Sequence, residues 1–416
     1  MPPFVSIILP VRNEEQYIIT CLDSIAAQDY PHDQMEILVV DGLSTDSTKQ
    51  KIEEFRIQNS ETCPETGKPA QQTNGFSILV LENPKQTVSS GLNIGFRKAR
   101  GQVLMRMDAH ASYGSDYISQ CLKVMEKTGA ANVGGPALAL PGGPGPMAQA
   151  ITLAHYSPFG LGGAQFRDPN AEGFVETVWP GCFKREVFDQ IGYIDERRTR
   201  TEDIEFNSRL REAGYKIYLS PLIKAYYYCR TTLGETWRQR WADGYEITHF
   251  LPDNPRAPRL RHFIPFIFVT SLILLTALSL SGLGADLWGR GAGTKLANLL
   301  HGFKGLGLKQ PGLFSLKAWS WHLLFLRMLA LELFAYFSAM LLAVIQAGQA
   351  KFTVYNSKFE NNTVPTENGP TVNCKLAPGS LALLPLVFVT LHFSYGLGSL
   401  WGLVTLAGWA GKRSNA

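Results

Sequence analysis

Two regimes of apolar and polar positions divide the chain. Up to about residue 250, short apolar runs alternate with longer stretches in which apolar residues recur at helical spacing. Val5-Ser6-Ile7-Ile8-Leu9 predicts a buried strand that closes at Pro10. Over residues 14–27, Tyr17, Ile18, Cys21, Leu22 and Ile25 return every three or four positions, which predicts a helix with one buried face. Residues 35–40 predict a second strand, closed by Asp41-Gly42. Residues 45–55 predict a helix with Ser44, Asp46 and Ser47 as candidate caps. A third strand is expected over 76–82, a helix over 89–99 with Gly101 just beyond it, and a fourth strand over 103–107. Further helices are expected over 185–192 and from Thr201 to about Gly214. Such alternation predicts an α/β fold: a mainly parallel sheet whose crossover helices cover its faces. Residues 58–75, 139–147 and 159–173 are polar or rich in Gly and Pro and read as loops, long enough to serve as lids.

Beyond residue 250 the pattern changes to three long apolar stretches, 263–285, 319–347 and 380–409. As a helix, each is long enough to cross a hydrocarbon core of ~30 Å. The expected organisation is therefore a catalytic domain over 1–250 and a membrane domain over 251–416. Arg256, Arg259, Arg261 and His262 immediately precede the first stretch, which places that end on the cytoplasmic side under the positive-inside rule. A solvated linker with scattered arginines is the plainer account. Three full spans would put residues 286–318 and the C-terminus on the opposite side. That loop carries Arg290, Lys295, Lys304, Lys309 and Lys317, against the rule, so one apolar segment lying in the interface is the alternative, with 301–308 part of such a helix. Asn361-Asn362-Thr363 is a sequon by pattern only. The apolar run 4–11 is too short for a signal peptide and is followed by Arg12-Asn13-Glu14-Glu15, so the first half is expected to stay in the cytosol of a multi-pass membrane protein.

Composition narrows the chemistry. A net charge of +4 on 416 residues gives no argument for nucleic acid. Cys21, Cys63, Cys121, Cys182, Cys229 and Cys374 contain no C-x-x-C spacing and read as reduced structural thiols, not a disulfide framework or zinc site.

In open parallel sheets, ligands collect beyond the carboxyl ends of the strands. Arg12-Asn13-Glu14 follows the first strand, Asp41 the second and Asp108 the fourth. A carboxylate there can accept hydrogen bonds from a ribose hydroxyl or a base N–H, although helix capping explains any one of them alone. Three at one edge favour a nucleotide pocket. There is no G-x-G-x-x-G or Walker sequence to indicate a dinucleotide or P-loop site. Asp108-Ala109-His110 is the sharpest feature. Side chains alternate along a strand, so Arg106, Asp108 and His110 can point the same way. A carboxylate with an imidazole can hold Mn2+ or Mg2+, which would bridge the phosphates of a departing nucleotide diphosphate, with Arg106 adding a cation. A turn aspartate beside a surface histidine is the plainer account. In Thr201-Glu202-Asp203, either acid could take a proton from an acceptor hydroxyl; acids in a first helical turn also answer the helix dipole. Trp179-Pro180-Gly181 offers a flat face for a sugar ring and close backbone approach, or simply a tight turn with a core aromatic. Trp237-Arg238-Gln239-Arg240-Trp241 reads as a cationic aromatic lid near the membrane or as a snorkelling amphipathic helix.

Over residues 4–250 these motifs together resemble the family 2 glycosyltransferases of the GT-A fold. The likeness rests on Ile8-Leu9-Pro10-Val11-Arg12-Asn13-Glu14-Glu15, Val39-Val40-Asp41-Gly42-Leu43-Ser44-Thr45-Asp46, Arg106-Met107-Asp108-Ala109-His110-Ala111 and Thr201-Glu202-Asp203. The Asp108-Ala109-His110 form looks most like the succinoglycan-type exopolysaccharide glucosyltransferases. The resemblance implies a Rossmann-like sheet and an inverting, single-displacement transfer that needs no enzyme nucleophile. It implies Pro10, Arg12, Glu14 and Asp41 around the nucleotide base and ribose, commonly uridine, Asp108 at a divalent cation, and Asp203 as base; the residue reading adds Asn13 and Arg106 to the nucleotide sugar and His110 to the cation. Trp179, Gly181, Glu202, Arg238, Arg240 and Trp241 would serve the acceptor side or a lid. The chain departs from the family in three places. His110 replaces the last Asp of Asp-x-Asp, and Gly42 follows Asp41 where a second Asp or Asn is usual. Trp237 stands where processive members carry the Gln of Gln-x-x-Arg-Trp. The expected function is thus non-processive, Mn2+- or Mg2+-dependent transfer of a sugar such as glucose from a UDP-sugar to a lipid-linked acceptor. The setting would be exopolysaccharide or envelope glycan assembly, alongside other glycan-assembly enzymes. Alternatives are synthesis of a membrane glycolipid or polyprenyl-phosphate sugar, and a membrane scaffold with a degenerate nucleotide-binding domain.

Overall fold

A computed structural model describes residues 2–59, 77–161, 163–255, 257–281, 314–349 and 377–413. Arg256, most of 58–75, 286–313, the sequon at 361–363, Cys63 and Cys374 lie outside the described residues.

The main sheet is built first from β1 (Val5–Val11), β2 (Met35–Asp41), β3 (Ser77–Glu82) and β4 (Val103–Arg106). All four run parallel, with Val5 opposite both Met35 and Val103, and Glu36 opposite Ser77. β1 and β2 are central and almost wholly buried, which is why they read as continuous apolar runs rather than alternating ones. Their two faces feed separate cores. Ile7 and Leu9 pack with Ile18, Leu22 and Ile25 of α1 (Ile18–Ala26), while Ile8, Leu38 and Val40 pack with Leu92 and Phe96 of a later helix, Val88–Lys98. Burial of each such aliphatic side chain contributes roughly 1.5–3 kcal/mol. α2 (Thr48–Asn59) follows β2; Val88–Lys98 is α3, and Thr87 caps it by accepting the Ser90 N–H at 3.3 Å. At Gly95 the α3 backbone comes so close to β1 that a Cβ would run into Ile8.

The first helix begins later than its periodicity predicts. Residues 14–17 form a turn, because the Glu14 backbone N–H is drawn to the Thr48 hydroxyl at 2.8 Å and the Glu15 N–H to Asp46 at 3.2 Å. Beyond β4 come β5 (Ala111–Tyr113), α4 (Tyr117–Thr128), β6 (Asn132–Gly134) and β7 (Ala137–Leu140). Next are α5 (Pro146–Tyr156), α6 (Pro158–Leu161), β8 (Gly173–Phe174), β9 (Cys182–Lys184), α7 (Glu186–Ile191) and α8 (Glu202–Glu212). β10 (Ile217–Leu219) and β11 (Ala225–Tyr228) complete the strands. The large sheet has eight strands in the order β3-β2-β1-β4-β9-β6-β10-β8, with β9 and β8 antiparallel to their neighbours; β5-β11-β7 form a second small sheet. The stretches read as loops at 139–147 and 159–173 are thus partly structured. Their order comes from packing on distant helices: Phe159 meets Phe388, and the Tyr156 hydroxyl donates to the Ala139 carbonyl.

α9 (Leu233–Phe250) starts with a Thr232/Glu235 capping box. Three helices follow: α10 (Ile264–Ser281), α11 (Phe314–Gln349) and α12 (Ser380–Arg413). All three contain segments long and apolar enough to cross a membrane. They differ in surroundings. Only 11% of the α10 segment and 6% of the α11 segment is buried, against 44% for α12. The inner face of α12 packs on α5, α6 and α9, and carries Gly396, Gly398 and Gly402, where a Cβ would strike Pro265, Trp241 and Thr248 respectively. Cys21, Cys121, Cys182 and Cys229 are buried, free thiols.

Candidate active site

A cleft of about 830 Å3 opens at the carboxyl ends of β1, β2 and β4 and extends to α10, α11 and α12. Its floor is set by β4. Arg106 ends the strand, and Asp108, two residues on, faces the same way. The Arg106 guanidinium grips Asp108 with both a Nε–Oδ1 contact of 2.9 Å and a Nη2–Oδ2 contact of 3.1 Å, and its Nη1 reaches Glu202 Oε1 at 3.0 Å. The Trp179 indole N–H donates to Asp108 Oδ2 at 2.7 Å, and the Asp108 backbone N–H donates to the Tyr113 hydroxyl at 2.7 Å. Burial would raise the Asp108 carboxyl; Arg106 outweighs it and holds the group below the usual carboxylate range. Asp108 is therefore an ionised carboxylate fixed from three sides.

Asp203 behaves oppositely. It stands in the first turn of α8, with one oxygen accepting the Ile204 N–H at 2.8 Å. Burial and then the charge of adjacent Glu202 push its carboxyl up to about 6, with Arg106 opposing. One protein thus keeps two nearby carboxyls at different affinities for protons, the arrangement that separates a permanent anion from a base poised near neutrality. The Glu202 Oε2 and Thr201 Oγ1 atoms beside them are buried without a hydrogen-bond partner among the described residues.

Residues 6–192 match the model of glycosyl transferase family 2. The match covers the parallel strands β1 to β4 of the large sheet and the Asp108 motif. Across the longer alignment, the chain is 29% identical over 242 residues to the dolichyl N-acetyl-alpha-D-glucosaminyl phosphate 3-beta-D-2,3-diacetamido-2,3-dideoxy-beta-D-glucuronosyltransferase of Methanococcus voltae, covering 57% of this chain and 70% of the relative. It is 25% identical over 261 residues to succinoglycan biosynthesis protein ExoA of Rhizobium meliloti, covering 62% and 73%. The solved mannosyltransferase PcManGT from Pyrobaculum calidifontis, in complex with GDP-Man and Mn2+, is 18% identical, covers 85% of this chain and 89% of its own, and has a TM-score of 0.49. The chain is a glycosyltransferase, with a mostly parallel sheet and C-terminal helices apolar enough to span a membrane.

The fold brings most of the sequence-derived candidates into one place. Pro10, Arg12, Glu14, Arg106, Asp108 and His110 line the cleft together with Trp179, Glu202, Asp203 and Arg240. His110 Nδ1 lies 3.0 Å from Glu14 Oε1, so the β1 and β4 motifs meet directly. Other candidates stand back from the cleft. Asn13, with φ of 54°, clasps the next loop: its side-chain oxygen accepts the Thr45 N–H at 2.9 Å, and its own N–H donates to Ser44 Oγ at 3.0 Å. Asp41 is buried behind Gly42, where it accepts the Ser44 N–H at 3.2 Å and pairs with Lys49 at 3.2 Å. Gly181 forms the wall of a small pocket behind Arg106, whose N–H its carbonyl accepts at 3.0 Å. Arg238 is exposed on α9, and Trp241 meets α12 through its backbone. Among the described residues, no group of three or more His, Cys, Asp and Glu side chains is disposed to hold a metal.

Several cleft residues escaped the motif reading: Tyr227, His155, Arg167, Arg200 and Arg230. Arg230 has a signal of the same kind as Asp108, since it follows a strand, β11; that strand was not foreseen because its Tyr-rich run is only four residues long.

Proposed function

We propose that this glycosyltransferase moves one sugar, with inversion, from a nucleotide-sugar donor to an acceptor carried on a membrane lipid. The observation that carries this reading is the continuity of the cleft: it runs from the carboxylates at the sheet edge to the three apolar helices without interruption. Pro10, Arg12 and Glu14 would surround the base and ribose, with Asp41 and Asn13 shaping the loop behind them. Asp203 would take the proton of the acceptor hydroxyl as that oxygen attacks the anomeric carbon and the bond to the donor diphosphate breaks. The electron pair leaves on the diphosphate, close to Arg106. Trp179, held by its bond to Asp108, would present a ring face to the sugar.

The residues at Asp108 suit a divalent cation that the donor completes. Asp108 is ionised, its Oδ1 accepts only the Arg106 Nε–H among the described residues and so keeps a lone pair, and His110 stands beside Glu14. Magnesium and manganese sites at nucleotides commonly take only one or two protein carboxylates plus phosphate oxygens and water. Asp108, with His110 and Glu14 alongside, would hold the ion, which when bound supplies charge neutralisation of the diphosphate. The Methanococcus relative is named for a dolichyl-phosphate sugar and the Rhizobium relative for succinoglycan biosynthesis, which supports a lipid-borne acceptor in glycan assembly. A UDP-sugar, with glucose as its sugar, is the favoured donor. Trp237 in place of the processive glutamine supports single addition. Arg259, Arg261 and His262 ahead of α10 support a cytosolic catalytic domain, with the division between it and the membrane part near residue 250.

The deciding assay incubates the full chain in mild detergent with radiolabelled UDP-, GDP- or dTDP-sugars, Mn2+ or Mg2+, and a membrane lipid extract. Label should enter the organic-extractable fraction with one donor and should vanish with EDTA. Label confined to water-soluble polymer would overturn the lipid acceptor; transfer undiminished by EDTA would overturn the cation.

A further inference from the structure

Between the catalytic carboxylates and the apolar helices, the cleft changes character in a fixed order. Tyr227 stands edge-on to Trp179, with ring centroids 5.4 Å apart at 90°, and to His110, at 5.5 Å and 74°; on its other side His155 lies at 5.6 Å. Past this aromatic step the lining becomes cationic. Arg167, Arg230 and Arg240 all face the cleft. Arg240 pairs with Asp243 at 2.5 Å, but Arg200 draws on the same carboxylate at 2.8 Å. Among the described residues, neither Arg167 nor Arg230 has a carboxylate within ion-pair distance; Arg167 Nη1 instead lies 3.0 Å from His155 Nδ1. Burial, followed by the charge of Arg240, lowers the Arg167 guanidinium to about 10, and the same surroundings push His155 well below its usual range, so the imidazole is neutral and adds no charge. Cations sequestered in this way are costly until an anion joins them. Beyond the arginines the wall becomes mostly apolar, with Ile264 and Phe268 of α10, Ala335 of α11 and Leu391 of α12, alongside Glu332, which accepts from the Ser271 hydroxyl, and the polar rings of Tyr336 and His392.

The order is therefore base, aromatic ring, cations, hydrocarbon-lined exit. We infer that Arg167, Arg230 and Arg240 form a binding site for the phosphate of the acceptor lipid, a phosphate or diphosphate ester of a long-chain alcohol whose chain leaves between α10, α11 and α12. This rests on the reading that a lipid carries the acceptor, and it narrows that lipid to an anionic phosphoester; a neutral glycerolipid or ceramide would leave the arginines without an anion. Arginine suits the task because its planar fork meets phosphate oxygens in pairs.

The test uses the full chain in a neutral detergent, saturated with UDP and Mn2+ so that the donor site is filled. Binding of farnesyl diphosphate, farnesyl phosphate, farnesol and inorganic diphosphate is then titrated. The two phosphoesters should bind at least tenfold more tightly than farnesol and than inorganic diphosphate. Arg167→Ala and Arg230→Gln should each weaken farnesyl diphosphate at least tenfold while leaving UDP affinity within twofold, which also reports that the variants are folded; Arg167→Lys should recover part of the loss. Farnesol binding as tightly as farnesyl diphosphate would overturn the phosphate site while leaving the lipid acceptor standing. Equal weakening of UDP in Arg167→Ala would assign the arginines to the donor diphosphate and overturn it as well. No binding by any prenyl compound, together with an unlabelled organic fraction in the transfer assay, would remove the lipid acceptor and this site with it.

Discussion

Asp203 and Asp108 share a cleft and the influence of Arg106, yet their carboxyls are displaced in opposite directions. For Asp203 the consequence is a pH dependence. A base must be ionised, so transfer should rise with pH through about 6 and level off above it. Asp203→Asn should lower turnover by about 10^2- to 10^4-fold with UDP binding retained. The same variant makes a second, independent prediction. The folded value of about 6 lies above the ordinary 3.8, so the folded protein holds this proton more tightly than the unfolded chain does, and ionising Asp203 costs stability. Asparagine removes that cost. The melting temperature of Asp203→Asn should exceed that of the parent by an amount that grows between pH 4 and pH 6 and is constant above; a variant that melts lower at pH 8 would contradict the buried, strained carboxylate. Asp108 has the reverse character. Asp108→Ala strips Arg106 of a bidentate partner and the Trp179 N–H of its acceptor, and should lose about 3–5 kcal/mol in urea titration. At this scale the strand-end rule located Arg106, Asp108 and Glu14 in the sequence. It could not show that Asp41 turns away to Ser44 and Lys49, because that depends on the loop Asn13 pins in place.

Among the elements, the parallel half of the sheet was legible and the rest was not, for one physical reason. β1 and β2 are buried on both faces and seven residues long, so their apolar runs stand out. β5, β6, β9 and β10 have three residues each and owe their burial to neighbours brought in from far along the chain. Packing between α9 and α12 was equally invisible, because its signature is the absence of side chains. Gly244 on α9 abuts the Tyr395 backbone, and Gly398 and Gly402 on α12 abut Trp241 and Thr248, so the helices approach with little between their backbones. Gly398→Leu should force them apart, costing about 1–3 kcal/mol or more. The sheet keeps its own two cores, so UDP binding should survive in this variant while transfer to the lipid fraction falls. Loss of both together would mean that α12 is needed to form the donor site.

For the molecule as a whole, the three apolar helices are alike in hydropathy and unlike in company. α10 and α11 present nearly all their surface outward, and they meet midway, where the Ser271 hydroxyl donates to Glu332 and Phe268 stacks on Tyr336 at 4.4 Å. α12 runs beside α5 and α6 near its start and α9 further on. α9 carries Glu235, Arg238, Arg240, Asp243 and Glu246, charges that hydrocarbon does not accommodate. The part of α12 against α9 is therefore expected at the depth of α9, in the headgroup region, with its outer face towards lipid. On the proposed topology, α12 is the apolar segment that lies in the interface, and α10 and α11 are the two that would cross and return. Two crossings would bring the chain back to the catalytic side, as the positive-inside rule favours for a segment that ends in Gly-Lys-Arg. A topology reporter fused after Ala416 should accordingly read the same side as one inserted in the polar stretch at 60–76 of the catalytic domain. Opposite readings would show that α12 crosses the bilayer, and the contacts of Gly398 with Trp241 would then have to break on insertion.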